Sequence, residues 1–239
     1  MNILITGGAS GLGEAITRTL AANQDHKIYF TFNSSSAKAA KIVREFKNAT
    51  SLRCDFKDAN SLSGLLESMP DLNPDILINN ALTGFAKKHF HKLKAEFLAE
   101  SYQENVLPTL QITQQALKVF RKKKFGKIIS ILSSAIINKP PIGWSEYAAN
   151  KAYLLSMSKS WAAENAAFNI TANCVSPALM LTSLTGDMDE RIIENYQQNH
   201  PLKEVLPTQD TAEAVAYLAG ATQHINGVNL IINSGSDVV

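Results

Sequence analysis

Only two cysteines occur in the 239 residues, Cys54 and Cys174, far apart and each at the end of an apolar run. No disulfide framework can be built from such a pair, and both read as small buried hydrophobes. No apolar run approaches ~18 residues, which excludes a membrane-spanning helix. The chain also lacks a surplus of either charge. Its 23 Lys and Arg against 21 Asp and Glu leave a net +2, so neither nucleic acid nor an anionic membrane surface is an expected partner. The one basic run, Arg121-Lys122-Lys123-Lys124, ends a helical pattern. There it complements the helix dipole in solvent; docking of an acidic partner is the other reading. A first strand starting at Asn2 leaves no leader segment ahead of it, so a soluble cytoplasmic protein is expected.

What the chain does have is an ordinary globular composition, with 45% apolar and 18% charged residues, enough for a sizeable core. Short runs rich in Ile and Leu, bounded by turn residues, read as strands over 2–6, 27–32, 51–54, 76–79, 127–132, 170–175 and 228–232. Between them, helical patterns cover 12–22, 37–47, 61–68, 97–124, 146–165 and 211–219. Strands apolar on both faces belong in a parallel sheet with helices on each side. The alternation predicts an α/β doubly wound parallel sheet, a Rossmann fold, in a single domain over 1–239. Residues 178–207 break the rhythm without a clear period and read as a lid or substrate loop.

The first strand runs directly into Thr6-Gly7-Gly8-Ala9-Ser10-Gly11-Leu12-Gly13, which opens a helix. Three glycines at this spacing suit a dinucleotide: Gly7 for the sharp bend, Gly11 for close approach of backbone to a pyrophosphate, Gly13 for helix-on-strand packing. Ser10 and Leu12 lie in the same turn, and the helix N-terminus offers free amides to the phosphates. An acidic residue ending the second strand would hold a ribose 2′-hydroxyl and favour NAD. Here that strand runs into Asn33-Ser34-Ser35-Ser36, with donors for a 2′-phosphate and Lys38 nearby. NADP(H) is therefore favoured and NAD(H) stays open. Asp55, after the third strand, is placed to contact the adenine, while Asp58 reads as a helix cap.

Tyr147 is followed one helical turn later by Lys151, on the same helix face. A ketone that accepts hydride needs a proton on its oxygen, and a free phenol with a pKa of about 10 is sluggish near neutrality. A lysine beside it favours the phenolate and reaches a cofactor ribose. Ser134, thirteen residues before Tyr147, is the candidate to hold the substrate oxygen. Its neighbour Ser133 faces the other way if the strand continues, and the spacing selects Ser134.

Taken in order, the glycine turn, Asn79-Asn80-Ala81, Asn105, Ser134, Tyr147 with Lys151, Ser176-Pro177 and Asn233-Ser234-Gly235 resemble the short-chain dehydrogenase/reductase family. The resemblance is to the single-domain kind that includes the 3-oxoacyl-carrier-protein reductases, and it runs from Asn2 to about Gly235. It implies Tyr147 as acid/base, Lys151 lowering its pKa and binding the ribose, Ser134 orienting the carbonyl, and Asn105 holding a relay water. It further implies that Asn80 and Ala81 lie by the ribose and that the segment from Pro177 passes the nicotinamide. The substrate would be a small-molecule ketone or secondary alcohol, and the assembly a homotetramer or homodimer built on the long helices.

Three departures stand out. Leu82 and Ala178 occupy positions where the family usually has glycine. Phe125 and Phe168 stand where carrier-protein reductases place basic docking residues, which argues against dedicated fatty-acid synthesis. A non-catalytic dinucleotide-binding sensor or scaffold on the same fold is the alternative that Leu82 and Ala178 leave open; the intact Asn105, Ser134, Tyr147 and Lys151 argue against it. His89 and His91 form a His-x-His pair without further ligands at fitting spacing, so no metal is expected. Trp144 reads equally as a pocket wall or as packing.

Overall fold

The computed structural model describes residues 1–182, 185–186 and 188–237. Seven parallel strands form one sheet in the order β3-β2-β1-β4-β5-β6-β7. They are β1 (Asn2–Ile5), β2 (Lys27–Phe32), β3 (Ala49–Arg53), β4 (Ile76–Asn79), β5 (Gly126–Ile131), β6 (Ile170–Pro177) and β7 (Asn229–Ile232). Each expected strand is present, with ends shifted by at most two residues.

Residues alternate across the pleat, so each strand feeds two cores. Ile3, Ile5, Ile28, Phe30, Ile76 and Ile78 face one layer. There they meet Ile16 and Leu20 of α1 (Gly11–Ala21), Ile42 of α2 (Ser36–Glu45) and Val215 of α8 (Thr208–Gly220). Leu4, Leu77 and Ile128 face the other layer. They pack on Leu62 and Met69 of α3 (Ala59–Leu72), Ile112 and Phe120 of α5 (Leu107–Lys123) and Trp161 of α6 (Ser145–Asn165). Both cysteines are buried, as expected.

Two helix expectations need correction. The pattern over 97–124 is not one helix: α4 (Ala95–Asn105) stops and α5 restarts around Val106. Pro108 has no N–H to give to the turn before it, so the ladder breaks there. The 178–207 segment is not wholly irregular either. It contains α7 (Glu190–Asn199), started by Asp189, whose side chain accepts from Arg191 N at 2.9 Å. The basic run is partly tied down. Arg121 donates to Asn165 Oδ1 at 2.8 Å and stacks 4.2 Å from the Phe168 ring, and Lys123 pairs with Asp75.

The order in which strands are added reverses between β1 and β4: β2 and β3 lie to one side, β5 to β7 to the other. At such a switch point the loops leaving the two central strands part and open a crevice at their carboxyl ends.

Candidate active site

A cleft of about 1290 Å³ opens at that crevice. Gly7, Ser10, Gly11, Leu12 and Gly13 line its floor. Gly7 has a φ of +67°, and a Cβ there would lie 3.0 Å from Ala81 Cα. A Cβ on Gly13 would lie 2.0 Å from Gly7 O, so only glycine lets α1 close on the turn. The turn is laced to its neighbours: Gly7 N donates to Thr31 Oγ1 and Gly8 N to Thr31 O, at 2.9 and 2.8 Å. Ser10 caps α1 without a side-chain hydrogen bond, which leaves the first-turn amides to whatever enters the cleft.

Across the crevice, Thr6 Oγ1 accepts from the backbone N–H groups of Asn80 and Ala81 at 2.9 and 3.0 Å. Asn80 Nδ2 donates to Thr6 O and Gly7 O. The Asn80 amide is thus spent on binding the glycine turn to the loop after β4, while Asn80 and Ala81 present their outer surfaces to the cleft. Asn33, Ser34 and Ser35 line the end below β2, and Asp55 lines it beside β3. Lys38 does not line the cleft; Lys57 does, in an ion pair with Glu104 at 2.8 Å. Lys57 thus adds a charged group to this end of the cleft from beyond the β2–α2 turn.

At the opposite end, Tyr147 and Lys151 project from α6 toward the cleft, with Ser133 and Ser134 above β5 and Pro177 closing β6. Ser133 acts on the Tyr147 phenol, pulling its pKa down, and Ser133 and Ser134 both line the cleft. The strand ends at Ile131, and Ser134 already begins a short 3₁₀ turn (Ser134–Ile136) whose N-cap is Ser133. Strand alternation therefore does not govern this pair, and both serines stand at the Tyr147 end of the cleft. Ser133 Oγ also accepts from Ala135 N at 3.2 Å.

Tyr147 is 8% exposed. Its ring lies 4.5 Å from that of Phe85 and 5.5 Å from that of Trp144. Burial pushes its phenol above the ordinary tyrosine value, and the Ser133 hydrogen bond pulls it part of the way back. Lys151 Nζ sits 5.8 Å from the Tyr147 ring and donates to Ile131 O at 2.7 Å. Burial brings its ammonium down to about 8. Desolvation therefore acts on both groups against charge.

Asn105 ends α4 and is buried. Its Oδ1 accepts from Thr83 N and Thr83 Oγ1 at 2.8 and 2.9 Å, and its Nδ2 donates to Gly84 O at 3.1 Å. Leu82 and Ala178, the two departures from glycine, both line the cleft. So do Met188, Ile192 and Tyr196 from α7 and the turn before it, which makes 178–207 a wall of the site. His89 and His91 are exposed with ring centroids 5.8 Å apart, and neither lines the cleft.

A family model described as short chain dehydrogenase matches residues 1–193. The chain belongs to the short-chain dehydrogenase family. Among curated relatives, the 3-oxoacyl-[acyl-carrier-protein] reductase FabG of Rickettsia felis is 32% identical, over 96% of each chain. The 3-oxoacyl-[acyl-carrier-protein] reductase MabA of Mycobacterium tuberculosis is 28% identical over 98% of this chain and 92% of its own. Among solved structures, a short chain dehydrogenase from Burkholderia cenocepacia J2315, in complex with NADP, superimposes with a TM-score of 0.87. It shares 25% identity and covers 99% of this chain and 98% of its own. The fold is thus that of a short-chain dehydrogenase.

Proposed function

We propose that this short-chain dehydrogenase is an NADPH-dependent carbonyl reductase or alcohol dehydrogenase acting on a ketone or the matching secondary alcohol. The observation that carries the reading is Tyr147 with Ser133 and Ser134 beside it and Lys151 one turn on, in the same cleft as the uncapped start of α1. The donor set fits a phosphorylated dinucleotide: free helix amides at one point, Asn33, Ser34 and Ser35 at another, and no carboxylate at the end of β2. When bound, the nicotinamide supplies or accepts the hydride.

The protein's own groups do the rest. The turn from Gly7 to Gly13 holds the pyrophosphate, Asn33 and Ser34 the 2′-phosphate, and Asp55 the adenine. Asn80, Ala81 and Lys151 flank the ribose, and Pro177 stands by the nicotinamide. Ser134 donates to the substrate carbonyl oxygen beside the phenol, with Ser133 next to it in the cleft. Tyr147 gives its proton to that oxygen in reduction and takes it back in oxidation. Lys151, when charged, steadies the phenolate left behind. Asn105 has its amide committed to Thr83 and Gly84, so its part in the relay is to hold that loop and the α4–α5 break beside the lysine.

Leu82, Phe85, Trp144, Ile192 and Tyr196 give the substrate end a largely apolar wall. That suits an oxoacyl or similar ketone such as the relatives' names describe. Phe125 and Phe168, the latter covered by Arg121, leave little to grip an acidic carrier, which favours a free small molecule. Exposed Tyr102, Leu107 and Tyr153 on α4, α5 and α6 suit a homodimer or homotetramer, and a cytoplasmic location accords with the absence, among the described residues, of any helix long and apolar enough to cross a membrane.

The test is a parallel titration with NADPH and NADH, followed by a ketone panel with the better cofactor. A tenfold preference for NADPH, about 1.4 kcal/mol, with turnover of at least one ketone, is the expected result. Cofactor binding without turnover of any ketone would instead point to the sensor or scaffold.

A further inference from the structure

A second, much smaller cavity of about 10 Å³ lies between β4, β5, α6 and the α4–α5 break. It has room for about one water. Its wall includes Asn79, Ser130 and Glu146, and each carries a buried oxygen with no hydrogen-bond partner: Oδ1, Oγ and Oε2. Three such atoms around one water-sized space are what an ordered internal water requires, since it needs two to four polar neighbours. Lys151 lines the same cavity and is the one basic residue in its wall.

Glu146 is the unusual member. Its side chain is 5% exposed. Oε1 accepts from Ser101 Oγ and from Asn150 Nδ2, the latter at 2.8 Å. Those bonds tie α6 to α4 and need only one carboxylate oxygen. A neutral amide would serve them and would avoid burying an acid, which is costly without a compensating partner. The second oxygen is what remains to be explained.

We propose that Glu146 holds, through Oε2, a buried water that also receives a hydrogen bond from Lys151, and that the carboxylate thereby keeps the lysine charged in its dry surroundings. The water donates to Glu146 Oε2 and Asn79 Oδ1 and accepts from Lys151 Nζ and Ser130 Oγ. Lys151 has three donors; one is taken by Ile131 O, one is left for the water and one for the cofactor ribose. Glu146 is a positioning residue that acts through the water and the lysine. Among the described residues no other carboxylate lines this cavity. The groups facing Lys151 are Tyr147 on its own helix, Cys174 on β6 and, around the cavity, the neutral Asn79, Ser130, Asn105 and Thr109. The inference rests on the reductase reading for what Lys151 does with its charge.

The experiment measures NADPH affinity and kcat/KM against pH for wild type, Glu146→Gln and Ser130→Ala. Ser130→Ala removes a ligand of the water and leaves the Ser101 and Asn150 bonds to Glu146 in place. In wild type both quantities fall on the alkaline side as Lys151 loses its proton. In both variants the midpoint of that fall is expected to move to lower pH by roughly half a unit or more, as loss of a favourable neighbouring charge requires. Glu146→Asp is expected to recover part of the shift. Midpoints unchanged in Ser130→Ala and in folded Glu146→Gln would overturn the proposal and leave Glu146 a helix-to-helix tie. A wild type that binds NADPH but reduces no ketone would count against the reductase reading alone, because the binding midpoint still reports on Lys151.

Discussion

Tyr147 and Lys151 are each held at odds with the charge that chemistry asks of them. Phe85 and Trp144 dry the phenol and raise its pKa, while full burial brings Lys151 down to about 8. Tyr147→Phe keeps the ring in its aromatic nest and deletes only the proton carrier. Turnover is expected to fall roughly 10²–10⁴-fold, with NADPH affinity within about twofold of wild type, read by steady-state kinetics and a binding titration. The two serines separate in the same way. Ser134→Ala should cost roughly 10²–10³ in kcat, as loss of a donor to a developing oxyanion does. Ser133→Ala should stay within about threefold on the same scale. Equal effects would mean that the two hydroxyls share the part. The lysine also sets a pH trend of defined sign. Below pH 8 both folded and unfolded chains carry the Lys151 proton, and the folded chain bears the cost of burying it. From pH 8 to 9 the folded protein sheds a proton that the unfolded chain retains, so that cost is relieved and cofactor-free stability rises. Above pH 9 Cys174, pushed up to about 11 by burial, acts in the opposite direction. Denaturant midpoints at pH 7.5 and 9, set beside kcat/KM at the same values, should therefore move in opposite directions.

Single elements decide where these groups stand. The stop at Val106 and restart of α5 place Asn105 at a helix end, where its amide reaches sideways to the loop after β4 instead of lying on a continuous helix face. Pro108 announced that break in the sequence, and the apolar spacing on either side concealed it. In α7 the signals ran the other way. Asp189 is a sound cap and Ile192, Ile193 and Tyr196 share a face, but none of its residues is buried, so no strong core stripe marked the helix. An element that leans so little on the core depends on its cap. Asp189→Ala is expected to remove about 0.5–2 kcal/mol from α7 alone. Amide exchange over 190–199 should quicken and KM for the ketone rise, with the unfolding midpoint of the whole protein unmoved. A fall in kcat with unchanged KM would mean that α7 does not wall the substrate.

At the scale of the molecule the sheet order matters most. Because β1 and β4 send their connections to opposite sides, the glycine turn and the Tyr147 end share one cleft although ~135 residues separate them in the chain. A cofactor spanning that cleft bridges both halves of the sheet and binds only the folded state. At a hundredfold excess over its Kd it should add about 2.7 kcal/mol, or roughly 5–10 °C in Tm for a chain of this size. NADH at the same concentration should add less, and thermal unfolding with each cofactor in turn checks the order. An equal shift from both would mean that Asn33 and Ser34 do not sense the 2′-phosphate.

The alternation of short apolar runs and helical patterns, the three glycines and the Tyr–Lys pair one turn apart were all fixed by local chemistry. The α/β class, the seven strands and the two ends of the cleft could accordingly be read from the chain. What depended on distant contacts could not. That β5 stops at Ile131, leaving Ser133 and Ser134 in a 3₁₀ turn and not on a strand, was set by packing and not by spacing. The phenol's raised pKa came from Phe85, which lies 62 positions away in the chain. The unpartnered oxygen of Glu146 became visible only once β4, β5, α6 and the α4–α5 break had closed around it. Spacing along a strand or helix sets direction; burial, hydrogen-bond partners and pKa belong to the packed assembly, because they are set by what other segments bring to the same few ångströms.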